Sequence, residues 1–469
     1  MKKNGTIRLD LLKLTNLLLM LIPFAICWNL YYNPTVRSWF APRASAFLFV
    51  LYMLLYLTYV RIYDGFEIEI NRISELVYSQ SLAAFVTNFI MYFVIWLLAK
   101  GVNAPRVLPL FVAFTGQVVI SMFWSYLIHH WYARTCPPQK TLIVYDARES
   151  VEKTIVEHRM EKTFEVIGSV EVNEFLQKPE LLDNAETIFL CGVHSHDRNA
   201  IIKKCVMNKK EAYVIPRIGD AIMDGAKQAH ILHLPMMQVT RHKEQLEYDV
   251  IKRVFDVVIS ICSLVIFSPI LLVTAIAIKA YDGGPVFYKQ CRLTKDGKAF
   301  DIIKFRSMRV DAEKDGIARL STGKKDDRIT PVGRFIRKVR IDEIPQLINI
   351  IKGDMSIVGP RPERPEIFKD YEKELPEFAL RLQVKAGLTG YAQVYGKYNT
   401  TPYDKLLLDL LYIANAGVPL DLKIIFATIK ILFLPESTEG IKEGNVTAVK
   451  TNDSINKEIC YEKRKREHF

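Results

Sequence analysis

Two adjacent carboxylates, Asp342 and Glu343, follow a strongly basic segment, and their types and spacing suggest chemistry on a phosphorus centre. Thr330 and Pro331 predict the start of a helix that would carry this basic face. Its cations are Arg334, Arg337, Lys338 and Arg340. A second helix is predicted to begin at the acidic pair, and a carboxylate at a helix N-terminus is expected to stay ionised and nucleophilic. Its neighbour can bind Mg²⁺, a hard cation that also neutralises a diphosphate.

Further cations lie where they could bind phosphate. Lys304 and Arg306 end the second strand of a β-hairpin, which the Asp-Gly turn at 296–297 predicts. Arg361 stands between two prolines in a sequence, Gly359–Pro362, that predicts a rigid turn. Each group taken alone has an ordinary explanation, namely helix capping for the acidic pair and a solvated surface for the cations. Together they indicate a phosphoryl-transfer site in which Arg and Lys bind the phosphates.

The first 130 residues contain four apolar runs, each reaching the ~20 residues that cross a bilayer core. The runs are Leu14–Tyr32, Ala44–Tyr63, Leu76–Ala99 and Val107–Ile128. We interpret them as a four-helix transmembrane bundle over residues 1–135 rather than as four buried core helices. The basic start resembles a signal peptide, but no clear cleavage site follows, so the first run is interpreted as an uncleaved anchor. An even number of spans puts both ends of the bundle on one side, and we favour the cytoplasm.

Between residues 136 and 247, short β-branched runs alternate with polar helical stretches, which predicts a small Rossmann-like parallel α/β module. The predicted strands are Thr141–Tyr145, Glu165–Val170, Thr187–Val193 and Ala212–Ile215, and the predicted helices are Val151–Met160, Asn173–Leu182 and Asp197–Asn208. A dinucleotide site needs a glycine-rich turn after the first strand, and residues 145–149 contain no glycine. We therefore expect a structural or regulatory module rather than a working nucleotide site.

A fifth apolar run, Val254–Ile278, contains Ser268 and Pro269 at its middle. Proline removes a helix hydrogen bond, and the hydroxyl of Ser268 can satisfy part of the exposed backbone. The run is either a kinked transmembrane helix or a re-entrant helix, over residues 254–279, that enters one leaflet and returns on the same side. A full crossing would move the acidic pair away from the cytosol, where a nucleotide donor is found, so we favour re-entrance.

Composition and charge exclude several classes of protein. The chain has 469 residues, of which 50% are hydrophobic and 11% aromatic, and this excludes disorder for most of it. Its seven cysteines are scattered without a C-x-x-C pair, which excludes a disulfide framework or a zinc ribbon. The net charge of +12 implies acidic partners, but charge alone does not choose among nucleic acid, anionic lipid and phosphorylated substrates.

The segment 248–435 resembles the bacterial sugar transferase family of monotopic polyprenyl-phosphate phosphoglycosyl transferases. The resemblance rests on motifs in the family's order, which are Lys252–Asp256 (KRVFD), Gly284–Tyr288 (GPVFY), Lys304–Met308 (KFRSM), Asp342–Leu347 (DEIPQL) and Gly359–Glu363 (GPRPE). The whole arrangement resembles the long members that start capsule or exopolysaccharide repeat units. It implies a membrane α/β protein with an N-terminal four-helix transmembrane bundle, a small Rossmann-like module and a C-terminal α+β catalytic domain with a re-entrant helix.

The resemblance implies a reaction in which a sugar-1-phosphate passes from a UDP-sugar to undecaprenyl phosphate, with release of UMP. Asp342 matches the family nucleophile that forms a covalent phospho-sugar intermediate, and Glu343 matches the partner that binds Mg²⁺. Ser268 and Pro269 match the break in the family's re-entrant helix. The substrate-binding positions that the resemblance implies are Lys304, Arg306, Arg337, Arg361 and Lys397. Small members of the family carry an arginine where Lys397 stands, and a lysine offers one point charge instead of a fork.

The resemblance also implies a place and partners. We expect a multi-pass protein of the bacterial inner (cytoplasmic) membrane with its catalytic domain on the cytoplasmic face. The expected partners are a UDP-sugar, a polyprenyl phosphate and membrane lipids, without nucleic acid, and a homo-oligomer is left open. Glucose or galactose is the expected sugar, ahead of an N-acetylated one. The polar tail, residues 436–469, is expected to be disordered.

Two other functions fit parts of the sequence. Tyr248 and Lys252 have the Tyr-x-x-x-Lys spacing of a nucleotide-sugar epimerase or dehydratase, here anchored in a membrane, but the glycine fingerprint of such an enzyme is missing. A non-catalytic scaffold of a polysaccharide assembly complex is the other alternative, and it would not need Asp342 for any turnover.

Overall fold

A computed structural model of the chain describes residues 2–35, 42–99, 104–146, 155, 160, 163–178, 180–231, 233–242, 245–309, 328–396 and 401–432. Lys397, most of the predicted helix Val151–Met160 and the predicted tail 436–469 lie outside these ranges. The chain forms two compact units. One comprises Met1–Val144, Val151–Phe189 and His196–Tyr213, and the other comprises Tyr145–Ser150, Leu190–Ser195 and Val214–Phe469.

Four long helices form the N-terminal part of the first unit, as the apolar runs predict. They are Lys2–Cys27 (α1), Pro42–Ile62 (α2), Ile73–Leu98 (α3) and Leu108–Thr135 (α4). Each contributes a segment that is long and apolar enough to cross a membrane. Buried polar side chains join the helices, since Asn16 donates to Gln80 Oε1 at 3.1 Å and Tyr56 donates to Asn16 Oδ1 at 2.9 Å. Such bonds hold helices together where lipid provides no hydrophobic driving force between them.

A four-stranded sheet follows, with the strand order β2-β1-β3-β4. Its strands are Gln139–Tyr145 (β1), Phe164–Glu171 (β2), Thr187–Cys191 (β3) and Glu211–Val214 (β4), and its helices are Val172–Gln177 (α5), Leu181–Asn184 (α6) and Ser195–Met207 (α7). The amide of Glu186 donates to Lys140 and that of Asp146 donates to Cys191, so β1 and β3 run in parallel. The predicted helix Asn173–Leu182 is instead two short helices, because Pro179 disfavours a helical conformation of the residue before it.

The second unit contains the helix that covers the fifth apolar run. This helix, α9, spans Leu246–Asp282. It follows a short helix, Ile218–Asp224 (α8), and a two-stranded hairpin formed by Lys227–Ile231 (β5) and Leu234–Gln238 (β6). The hairpin was not predicted. Helix α9 is also long and apolar enough to cross a membrane. The helix continues through Pro269, and the hydroxyl of Ser268 donates to the carbonyl of Val265 at 2.7 Å. This bond is the backbone compensation that a hydroxyl beside a helix proline can supply.

The remaining elements surround the acidic pair. The predicted hairpin is confirmed as the antiparallel strands Phe287–Leu293 (β7) and Ala299–Phe305 (β8). The predicted N-cap is also confirmed, because the hydroxyl of Thr330 accepts the amide of Gly333 at 2.9 Å. The other elements are the helices Pro331–Lys338 (α10), Leu347–Lys352 (α11), Pro365–Glu374 (α12), Tyr391–Tyr395 (α13), Pro402–Ala414 (α14) and Val418–Leu432 (α15), and the parallel strands Ser356–Val358 (β9) and Gly387–Thr389 (β10). Most of their apolar side chains form one core around Ile350, Met355 and Leu406, whereas Ile336 of α10 packs with Phe305 and Ile278 in a second cluster.

Candidate active site

The acidic pair lies in a short 3₁₀-helix, Ile341–Gln346, between α10 and α11. The cationic helix ends at Lys338, so the prediction that it includes Arg340 is wrong. Arg340 instead adopts the left-handed conformation, with φ of 58°, between the two helices. Its guanidinium contacts the pair, with Arg340 Nη1 3.5 Å from Glu343 Oε2.

Glu343 binds three cations that come from three separate segments. Lys304 Nζ, at the end of β8, lies 3.1 Å from Glu343 Oε1, and Arg361 Nη2 lies 2.8 Å from the same oxygen. Arg340 contacts the other carboxylate oxygen. Burial would raise the pKa of Glu343, but the charges of Lys304, Arg361 and Arg340 outweigh burial and bring it well below its usual range. Glu343 is therefore ionised in the substrate-free site.

Asp342 has a different environment from its neighbour. Its side chain is 9% exposed, and among the described residues no hydrogen-bond donor reaches its Oδ1 atom. Burial and the charge of Glu343 raise the pKa of Asp342 to about 6, against the opposing charges of Lys304, Arg337 and Arg340. The expectation that this carboxylate is ionised therefore applies only above about pH 6, because burial and the charge of Glu343 raise its pKa. The pair takes up its first proton at Asp342, so the nucleophilic form is lost as pH falls through about 6.

The other predicted site residues separate into two groups. Lys304 and Arg361 join Glu343, and the charge of Arg337 acts on Asp342 from the last turn of α10. Arg306 lies elsewhere: it is 7% exposed and donates to Asp282, at the end of α9, with Nη1 at 2.8 Å from Oδ2. Its assignment to substrate binding stays a prediction, as does that of Lys397 outside the described residues.

Close backbone packing supports the turn that carries Arg361. The amide of Gly359 donates to Thr389 and that of Gly387 donates to Pro360, each at 2.9 Å. A Cβ atom on Gly387 would lie 2.1 Å from the amide nitrogen of Gly359, so any larger residue would push the two segments apart. Position 387 therefore requires glycine for this close approach of the two segments.

Charged residues at the start of α9 fix this helix to the same core. Arg253 donates to the carbonyls of Ile350 and Ile351, at 2.6 and 2.7 Å, and so caps the end of α11. Asp256 accepts the amide of Ile357 at 3.0 Å. These positioning roles were not predicted, although charged residues at the start of an apolar helix were a signal that the helix packs against polar groups there.

The Tyr-x-x-x-Lys spacing has a structural explanation. Tyr248 and Lys252 both donate to Asp421 Oδ2, at 2.8 and 2.6 Å, and thereby tie α9 to α15. The side chain of Lys252 is only 17% exposed. This ion pair accounts for the spacing without a nucleotide-sugar epimerase.

The acidic pair could hold Mg²⁺ only if a substrate supplied further oxygen ligands. The described residues contain no group of three or more His, Cys, Asp or Glu side chains that could hold a metal ion. Mg²⁺ often uses one or two carboxylates together with substrate phosphates. Glu343 and the orphaned Asp342 Oδ1 atom fit that kind of site, in which the donor diphosphate supplies further oxygen ligands.

Comparison with known proteins adds to this geometry. Residues 247–435 match the family described as bacterial sugar transferase. This match contains all of α9 except Leu246, together with the acidic pair and the cations around Glu343.

Three relatives illustrate the similarity. The chain is 37% identical over 232 residues to a UDP-N-acetylgalactosamine-undecaprenyl-phosphate N-acetylgalactosaminephosphotransferase of Aeromonas hydrophila, covering 49% of this chain and 54% of the relative. It is 39% identical over 194 residues to a UDP-glucose:undecaprenyl-phosphate glucose-1-phosphate transferase of Caulobacter vibrioides, covering 40% and 72%. It is 39% identical over 189 residues to an exopolysaccharide production protein, PSS, of Rhizobium leguminosarum, covering 38% and 94%. The chain thus spans about half the length of the Aeromonas relative and nearly all of the Rhizobium one.

Proposed function

Because the chain belongs to the bacterial sugar transferase family, we propose that it transfers a sugar-1-phosphate from a UDP-sugar to undecaprenyl phosphate and releases UMP. The observation that carries the proposal is the cluster in which Lys304, Arg340 and Arg361 surround Glu343 beside the buried Asp342. Cations in that arrangement bind a diphosphate, and a buried carboxylate beside them can attack phosphorus.

In the first half of the reaction, an oxygen of Asp342 attacks the phosphorus that carries the sugar. The bond from that phosphorus to the oxygen bridging the two phosphates breaks, and UMP leaves with the electron pair. Arg361 and Lys304 bind the phosphate oxygens, where negative charge accumulates on the leaving group. Mg²⁺, held by Glu343 and the donor's own phosphates, would neutralise part of that charge.

In the second half, an oxygen of undecaprenyl phosphate attacks the same phosphorus. The bond between phosphorus and Asp342 breaks, which restores the carboxylate and yields the sugar diphospholipid. Covalent catalysis of this kind lets one site serve a soluble donor and a lipid acceptor in turn. The reaction would begin an exopolysaccharide or capsule repeat unit, and the name of the Rhizobium relative, an exopolysaccharide production protein, supports the first of these roles.

The sugar is proposed to be a neutral hexose, glucose or galactose. The Caulobacter relative is named for glucose and the Aeromonas relative for N-acetylgalactosamine, so the N-acetylated sugar is the competing donor. Purified full-length protein in detergent should release UMP from the accepted UDP-sugar when undecaprenyl phosphate is present. The panel comprises UDP-glucose, UDP-galactose, UDP-N-acetylglucosamine and UDP-N-acetylgalactosamine, with a sample lacking acceptor as control. No UMP from any of the four, together with no labelled lipid, would contradict the proposed function.

We also propose that α9 is re-entrant, which keeps the catalytic unit on the cytoplasmic face. Support comes from packing on both sides of Pro269. Ile259 packs on the core that contains Ile302 and Ile350, whereas Ile278 packs with Phe305. Because Ile302 and Phe305 belong to one strand, β8, the two halves of α9 pack against neighbouring parts of the same fold.

This topology predicts that both ends of α9 are labelled from the cytoplasmic side. Single cysteines would replace the exposed Glu247 and Lys289 in a variant without native cysteines, and intact cells would be treated with a membrane-impermeant maleimide. Neither cysteine should react until the inner membrane is opened. Labelling of only one of them in intact, outer-membrane-permeabilised cells would show that α9 crosses the bilayer.

A further inference from the structure

A cluster of ion-paired side chains contacts the turn that carries Arg361. Its members, joined by ion pairs, are Glu363, Arg381, Lys405 and Asp409. Arg381 is in the 3₁₀-helix Pro376–Gln383, and Asp409 is on α14. Both side chains are only 2% exposed. Neither residue contacts Asp342 or Glu343 in any interaction described above, so the proposed chemistry does not use them directly.

Arg381 joins three partners through one guanidinium. Its Nε atom donates to Asp409 Oδ2 at 2.8 Å, and its Nη1 atom lies 3.5 Å from Glu363 Oε1. Its Nη2 atom donates to the main-chain carbonyl of Arg361 at 3.0 Å. The face of its guanidinium also lies over the ring of Phe378, at 4.9 Å from the centroid. Asp409, Glu363 and Phe378 therefore fix the Arg381 side chain, which in turn binds the main-chain carbonyl of Arg361.

The next two carbonyls of the same turn are also bonded. Arg292 Nη1 donates to the carbonyl of Pro362 at 3.1 Å, and the amide of Leu293 donates to the carbonyl of Glu363 at 3.0 Å. Three successive carbonyls, at residues 361–363, are thus fixed by groups from outside the turn. Because prolines flank Arg361 and restrict the backbone, these bonds fix the point from which its side chain extends to Glu343.

We propose that Arg381, itself held by Asp409, is a positioning residue that acts through Arg361. By fixing the backbone of Arg361, it places that guanidinium on Glu343 and where the donor diphosphate binds; this inference rests on the proposed function. A lysine at 381 would keep the charge opposite Asp409 but could not serve Asp409, Glu363 and the Arg361 carbonyl together, because an ammonium lacks the planar fork. Stability alone does not require such an arrangement, since well-packed apolar residues often replace a buried ion pair without loss.

The test compares Arg381→Lys with wild type in the UMP-release assay on full-length protein. Displacing a binding group by about 1 Å can cost on the order of 10²-fold, so kcat/KM for the donor should fall by about 10- to 100-fold. Asp409→Asn keeps an acceptor oxygen for Arg381 and should cause a smaller loss in the same direction. Asp409→Asn also provides a second test of the proposal if Arg381→Lys folds poorly.

Phe368→Leu is the matched control for loss of packing. Phe368 is buried and contacts Phe378 in the same core, with ring centroids 5.5 Å apart, but no hydrogen bond joins it to the three carbonyls. Melting temperatures of all variants would be measured, and this control should lose stability with little change in kcat/KM. An equal loss of kcat/KM in Phe368→Leu and Arg381→Lys would overturn the proposal.

A double-variant cycle separates positioning from a general structural role. In an Arg361→Ala background, Arg381→Lys should change kcat/KM by no more than about twofold, because the group through which it acts is already absent. Losses that multiply in the double variant would overturn the positioning role and leave the proposed function intact. No turnover by wild type with any donor would overturn the proposed function, and this inference with it.

Discussion

Replacing Asp342 with asparagine is expected to reduce transfer of sugar phosphate to undecaprenyl phosphate by on the order of 10⁴-fold or more, because a covalent route loses its nucleophile. Asparagine has nearly the same shape, so the cations around Glu343 should stay in place and the donor should still bind. The measurement is incorporation of radiolabelled sugar phosphate into lipid by full-length protein. The matched control is Asp370→Asn, since Asp370 is an exposed aspartate of the same unit that pairs with Lys373.

The covalent mechanism also predicts what accumulates when the donor is supplied without the acceptor. Wild type should release about one UMP per active site and gain the mass of a phospho-sugar, and peptide mapping should place that adduct on Asp342. Asp342→Asn should show neither the UMP nor the adduct. Full turnover by Asp342→Asn would contradict the nucleophile assignment, whereas normal turnover by wild type without any adduct would indicate direct transfer between donor and acceptor.

Local features of this fold could be predicted from the sequence because their determinants are adjacent in the chain. The Asp-Gly turn at 296–297 predicted the hairpin, and Thr330 before Pro331 predicted a helix start, since each signal acts within a few residues. The lengths of the apolar runs likewise predicted the long helices.

Contacts between distant segments could not be predicted in the same way. The motif around Lys304 contains two cations that look equivalent in sequence, yet Lys304 reaches Glu343 and Arg306 reaches Asp282. Because Lys304 and Arg306 are two residues apart, a continuing strand would place both on one face, but β8 ends at Phe305 and Arg306 lies beyond it. The left-handed conformation of Arg340 could not be predicted either, because an arginine gives no sequence signal for a positive φ.

The pairing of Arg381 with Asp409 shows the same limitation within the catalytic core. Neither residue belongs to a motif that suggests chemistry, and each lies in a helical segment without unusual sequence features. The bond from Arg381 to the Arg361 carbonyl, and the support of Arg381 by Asp409, become visible only once the turn at 359–363 is packed against them. The sequence therefore predicted candidate reacting groups, whereas only the structure shows which side chains bond to the turn beside them.

Replacing Glu343 with glutamine is expected to reduce kcat/KM by about 10²- to 10³-fold, a loss typical of removing one preorganised electrostatic group from a catalytic site. The amide keeps one acceptor oxygen but loses the charge that Lys304 and Arg361 now share. The two cations would then repel each other without a counter-charge, and Arg361 should leave its present position. Activity should also need a higher Mg²⁺ concentration for its half-maximal value, because a neutral amide binds this hard cation more weakly than a carboxylate does.

The magnesium titration separates the two roles proposed for Glu343. The control is Glu366→Gln, which removes an exposed glutamate from the first turn of α12 and should leave both kcat/KM and the titration unchanged. A lower kcat/KM with an unchanged titration would assign Glu343 to holding the cations alone and remove it as a metal ligand. A shifted titration with nearly normal kcat/KM at saturating Mg²⁺ would assign it to the metal and show that Lys304 and Arg361 find the donor phosphates without it. Wild-type behaviour in both measurements would contradict both roles, because a buried carboxylate surrounded by three cations would then contribute nothing to the chemistry beside it.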